Sequence, residues 1–132
     1  MIGIDTNVVV RFLAQDDERQ STIATHFMAG LTRERPGFIG SVVLAEITWV
    51  LSRAYKASRE EIAAAVEGLL RSAELIVENP EAAYRALADY RASNTAEFAD
   101  ALIAQTALLA GAAETVTFDQ RAAASLAMHL LG

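Results

Sequence analysis

The chain has 132 residues, 53% of them hydrophobic, with a formal net charge of −6. That length suits one domain burying roughly two thirds of its unfolded surface, and the lack of Cys excludes both a disulfide framework and a thiolate metal site. The acidity argues against holding nucleic acid through a broad basic surface, and no apolar run approaches the ~20 residues that span a bilayer.

Residues 1–5 read as a strand in which the apolar run Met1–Ile4 ends on Asp5. No basic region, apolar stretch and cleavage site open the chain, so a cytoplasmic location is expected. Residues 6–14 and about 17–30 read as helices. After the Arg35-Pro36 break, GFIG at 37–40 makes a second short strand. Ser41 is expected to cap a helix running to about Tyr55. Ser58 caps another, with Glu60 and Glu61 in the first turn where the helix dipole favours them. ELIVE at 74–78 is a third strand, and Pro80 starts a helix to about Ala92. Asn94 is expected to cap the next helix, which Gly111 ends, and TVTF at 115–118 is a fourth strand. Residues 127–131 are either a fifth strand or the end of a last helix after Asp119.

Strands that alternate with helices predict an α/β fold: a mostly parallel sheet of four to five short strands, covered on both faces, in a single domain over residues 1–132. In open sheets of this kind ligands bind beyond the carboxyl ends of the strands. Asp5 and Asp119 both stand at such ends, and on this reading one sheet edge brings them together.

Four acids are set into apolar sequence: Asp5 in IGIDTN, Glu46 in SVVLAEITWVL, Asp100 in EFADALIAQTALLAG and Asp119 closing TVTFD. Glu46 and Asp100 are each expected about 8 Å along their helices, overlooking the same crevice. Converging carboxylates repel, each pair by about 4 kcal/mol at ~4 Å and an effective dielectric of ~20, so the cluster needs protons or cations. His26 and His129 are too few and too scattered for a histidine cage, which leaves oxygen ligands and hard divalent ions, Mg²⁺ or Mn²⁺. Such a site suits metal-assisted phosphodiester hydrolysis. An acidic chain is compatible with a nuclease, because ten Arg against one Lys still permit a local phosphate grip.

In order and context, IGIDTN, Glu46 in AEITWVL, EFADALIA and TVTFD resemble the PIN domain over the whole chain, and at this length the VapC-type toxin ribonucleases of bacterial and archaeal toxin-antitoxin pairs. The resemblance implies a three-layer α/β/α fold and Mg²⁺-dependent endonucleolytic cleavage of RNA by a metal-activated water, with Mn²⁺ as a substitute ion. It makes Asp5, Glu46, Asp100 and Asp119 the catalytic and metal-site acids and adds Glu97 as a further ligand position. Thr6, Asn7 and Thr117 would orient those carboxylates by hydrogen bonds. It also implies a cognate antitoxin, a homodimer and a toxin-antitoxin hetero-oligomer, with Trp49 and Tyr55 as candidates for either protein surface. QRAAASL after Asp119 lacks the aromatic that this family often carries there.

Bland roles compete with these. Asp5 and Asp119 are good helix caps, and Asn94 with Glu97 spells a capping box that would use the Glu97 carboxylate at the backbone. Arg11, Arg33, Arg35 and Arg53 are phosphate candidates only through nearness in sequence to Asp5 and Glu46. A catalytically silent PIN-like interaction domain is the alternative from another class, although it has no use for mutually repelling acids. An aspartate-based phosphatase wants an acid where Asn7 stands and a later Lys, and a response-regulator receiver also wants a late Lys; the only Lys is Lys56.

Overall fold

Short apolar runs between turn residues become strands, and each of the first four is followed at once by a helix. The computed structural model describes residues 1–132 and contains seven helices and five strands. The chain divides into two compact units, Met1–Glu78 and Asn79–Gly132. All five strands pair in parallel, but in two ladders, β1-β2-β3 and β4-β5, where the sequence suggested one sheet.

In the first unit β1 (Ile2–Gly3), β2 (Gly37–Ile39) and β3 (Leu75–Val77) form a ladder with β2 in the middle, in the register Ile2 to Gly37 to Leu75. Helices α1 (Thr6–Ala14), α2 (Glu18–Ala29), α3 (Ser41–Arg53) and α4 (Arg59–Arg71) supply the rest. Ile4, Val9, Ile39, Leu44, Ile47 and Val66 are buried, from strands and helices alike. Gly37 has to be small: a Cβ there would overlap the Ile4 side chain and press on Leu31 and Leu75. The expected cap at Ser58 is present as a full capping box with Glu61.

A lock joins α1 and α2 to the segment after α3. Arg11 donates from Nε to Gln20 Oε1 at 2.8 Å and from Nη1 to Asp16 and to the Tyr55 hydroxyl, which itself donates to Asp16 at 2.9 Å. Those bonds, Tyr55 foremost, hold the Asp16 carboxyl below its ordinary range. Tyr55 is therefore employed inside the fold, whereas Trp49 is 49% exposed with the Arg53 guanidinium over its ring at 4.1 Å.

In the second unit α5 (Pro80–Ala92) and α6 (Phe98–Leu109) pack through small residues, with Ala82, Ala83, Ala86, Ala101 and Ala104 all buried. Tyr90 meets Phe98 edge-on, ring centroids 6.2 Å apart. β4 (Thr115–Thr117), α7 (Gln120–Ser125) and β5 (Met128–Leu130) follow, so of the two readings of residues 127–131 the strand is realised, after a short helix that ends before them. No helix is long and apolar enough to cross a membrane.

Two helix starts differ from expectation. Gly40, not Ser41, is the N-cap of α3, without a side-chain cap bond. α6 begins at Phe98 instead of just after Asn94, because the Ser93 hydroxyl accepts the amides of Thr95 and Ala96 and holds the chain in a turn.

Ile47 is fully buried in α3, whereas Val42 on the same helix is 75% exposed. Ile47→Ala should cost about 3 kcal/mol, and Val42→Ala less than ~0.5 kcal/mol. Urea denaturation midpoints at constant slope test both values.

Candidate functional site

Parallel pairing sets three chain reversals of the first unit along one edge. Asp5 follows β1, Gly40 and Ser41 follow β2, and Glu78 follows β3. Asp5 is the N-cap of α1, and its Oδ1 accepts the Thr6 amide at 2.7 Å. The Thr6 hydroxyl donates to Glu46 Oε1 at 2.8 Å. One residue thus ties two carboxylates that lie 41 positions apart in the chain, and each keeps its second oxygen outside these bonds. Both acids are exposed.

Glu78 is a residue that sequence reasoning passed over. Its Oε1 accepts the Ser41 amide at 2.9 Å, so it caps α3 in place of the Ser41 side chain. The signal was present, since ELIVE ends an apolar strand on an acid just as IGID and TVTFD do.

In the second unit Asp119 is the N-cap of α7. Its Oδ1 accepts the amides of Arg121 and Ala122 at 2.8 and 3.1 Å, while its own amide donates to the Thr117 hydroxyl at 2.9 Å. Capping engages one oxygen and leaves Oδ2 outside it. Asp100 lies in the first turn of α6, not deep in a helix as expected, because that helix starts late. Burial first, then the charges of Glu97 and Asp119, push the Asp100 carboxyl above its ordinary range, against the favourable helix dipole.

Glu97 is the N-cap of α6 and makes no side-chain cap bond, so the capping box with Asn94 does not form. Asn7 is exposed beside Asp5 at the start of α1 and lines a groove there. Within neither unit do three or more acids or histidines gather into a ready-made cage. The donors are nevertheless oxygen only, and a half-buried carboxylate repelled by two neighbours is an environment that a hard cation relieves.

The four arginines have other situations. Arg11 is engaged with Asp16, Gln20 and Tyr55, and Arg53 stacks on Trp49. Arg33 and Arg35 precede β2, at the opposite edge of the parallel ladder from Asp5. For Arg33 and Arg35 nearness in sequence did not carry over into the fold, because a strand separates its two ends.

The family model of the PIN domain matches residues 2–126, and the chain belongs to the PIN-domain family. Its fold is the family's three-layer α/β/α fold. PIN domains are generally nucleases that act on RNA or DNA and typically bind divalent metals, so this is a nuclease-type, hydrolytic domain. Comparison with curated proteins gives no match.

Because the folded chain holds the Asp100 proton more tightly than the unfolded chain does, the fold loses stability as pH rises from the ordinary carboxylate range through the raised value. In metal-free buffer Asp100→Asn should therefore melt above wild type at neutral pH, and the gain should vanish below about pH 4. Removing the cap with Glu78→Ala should cost about 1 kcal/mol, read from urea midpoints.

Proposed function

We propose that the chain is a Mg²⁺-dependent endoribonuclease and the toxin of a type II toxin-antitoxin pair. It acts in the cytoplasm as one functional domain, with RNA as substrate and a cognate antitoxin and a second copy of itself as protein partners. One observation carries the reading: Asp5, Glu46 and Asp119 each have one carboxylate oxygen fixed by the chain and a second outside that bonding, and in the second unit the charge of Asp119 adds to the destabilisation of Asp100. The choice of RNA and of an antitoxin rests on the resemblance of the motifs and chain length to VapC-type toxins. The exposed Val42 and Trp49 on α3 suit a protein partner.

Asp5, Glu46, Asp100 and Asp119, with Glu97, would hold the ion. When bound, Mg²⁺ supplies activation of the attacking water and neutralisation of charge developing on the phosphate. The chain's own groups do the rest. Thr6 fixes the rotamers of Asp5 and Glu46, so neither carboxylate has to reorganise during the reaction. The amides of Arg121 and Ala122 fix the Asp119 carboxylate in the same way, while the Thr117 hydroxyl accepts the Asp119 amide and holds its backbone. Asp100 must be ionised to serve as a ligand; its raised pKa makes metal loading fall off as pH drops into the carboxylate range.

Purified protein should cut single-stranded RNA internally with Mg²⁺ or Mn²⁺, and not with chelator. Asp5→Asn should lower the rate about 10²-fold or more; equal rates in the variant and wild type would overturn the mechanism. Mg²⁺ should also raise the wild-type melting temperature by about 10 °C at a roughly hundredfold excess over its dissociation constant. Asp100→Asn should show much less of that rise.

A further inference from the structure

A groove of about 660 Å³ opens in the first unit between β1, the start of α1 and one face of α2. That size lies in the range of ligand pockets. Ile2, Val8, Ile23 and Phe27 are among its walls, with Ile2 and Ile23 exposed, and its lining is continuous with Asp5. Three polar groups on its wall have definite chemistry. Arg11 is neutralised by Asp16. Arg19 is exposed and makes no ion pair or hydrogen bond. Gln20 accepts Arg11 Nε at 2.8 Å, and because guanidinium can only donate, the accepting atom must be the amide oxygen. The Gln20 NH₂ is left as a pure donor.

We infer that this groove takes an unstacked base of the strand bound at Asp5, its faces on the apolar walls, with Arg19 meeting a backbone phosphate and the Gln20 NH₂ donating to an acceptor atom on the edge of the base. The inference rests on the nuclease reading above and adds a base subsite to it, one that an unpaired strand fills most readily because a base inside a duplex must first leave the stack at a cost of about a few kcal/mol. The occupant follows from continuity of the groove with the carboxylate and from the unneutralised cation on its wall, a combination that suits a chain of flat apolar faces joined by anions.

Methyl NMR of the whole protein in metal-free buffer, titrated with AMP, GMP, UMP and CMP, reads base binding independently of cleavage. The methyls of Ile2, Val8 and Ile23 should shift with all four. Gln20→Ala and Arg19→Ala should each weaken all four. Because Ile23 is 57% exposed, Ile23→Glu should fold. It should raise KM for single-stranded RNA about tenfold, with the loss in KM more than in kcat. Intact cleavage with unmoved methyls and an unchanged KM in Ile23→Glu would overturn the base site. So would an unchanged KM together with loss of a bound protein partner, which assigns the groove to a polypeptide. Methyl shifts in a wild type that cuts no RNA would leave the base site standing and remove the nuclease reading.

Discussion

Parallel pairing of β1, β2 and β3 is the constraint on which the first unit depends. Strands that run the same way must all end at the same edge, and every following helix must therefore begin there. A helix start presents amides without intrahelical partners and the positive end of a dipole, so an edge crowded with helix starts calls for oxygen acceptors. Asp5 and Glu78 answer that call for α1 and α3. The acids at this edge have structural employment before any chemistry is considered. That employment also makes them suited to chemistry, because a carboxylate held through one oxygen presents the other in a fixed direction.

The second unit solves the same problem with the balance tipped the other way. Asp119 satisfies α7 and Asp100 sits in the first turn of α6, both favourable placements for negative charge. Burial and the company of Glu97 and Asp119 nevertheless outweigh the dipole at Asp100. A fold that accepts this cost has placed stability second at one position, a recurrent signature of sites arranged for a ligand. In the reading proposed above the donors are carboxylates alone, with no Cys and no His in the group.

The first unit also holds the Arg11, Asp16 and Tyr55 lock. It fixes α2 against α1 and so defines the width of the groove that begins at Asp5. It also accounts for two residues whose sequence context suggested binding roles. Arg11 is occupied by charge it already neutralises, and Tyr55 by a carboxylate inside its own unit. Arg19, which no motif marked, is left as the cation on that wall.

The sequence by itself determined the element types and nearly all of their order, because apolar period and turn residues act within a few positions of the chain. Gly37 in GFIG, the Ser58 box and Asp119 after TVTF were legible for that reason. The four acids stood out for a related reason, since a charge inside an apolar run is locally anomalous. What only the tertiary structure decided were relations between distant positions. The Thr6 bond to Glu46 spans 40 residues, the Glu78 cap on Ser41 spans 37, and the division of the strands into two ladders depends on pairing partners that no local pattern names. The late start of α6 belongs with these: Asn94 and Glu97 spell a capping box, yet the Ser93 hydroxyl captures the nearby amides first. Local propensity offered two turns of similar cost, and the packing of Phe98 against Tyr90 favours the one that was formed.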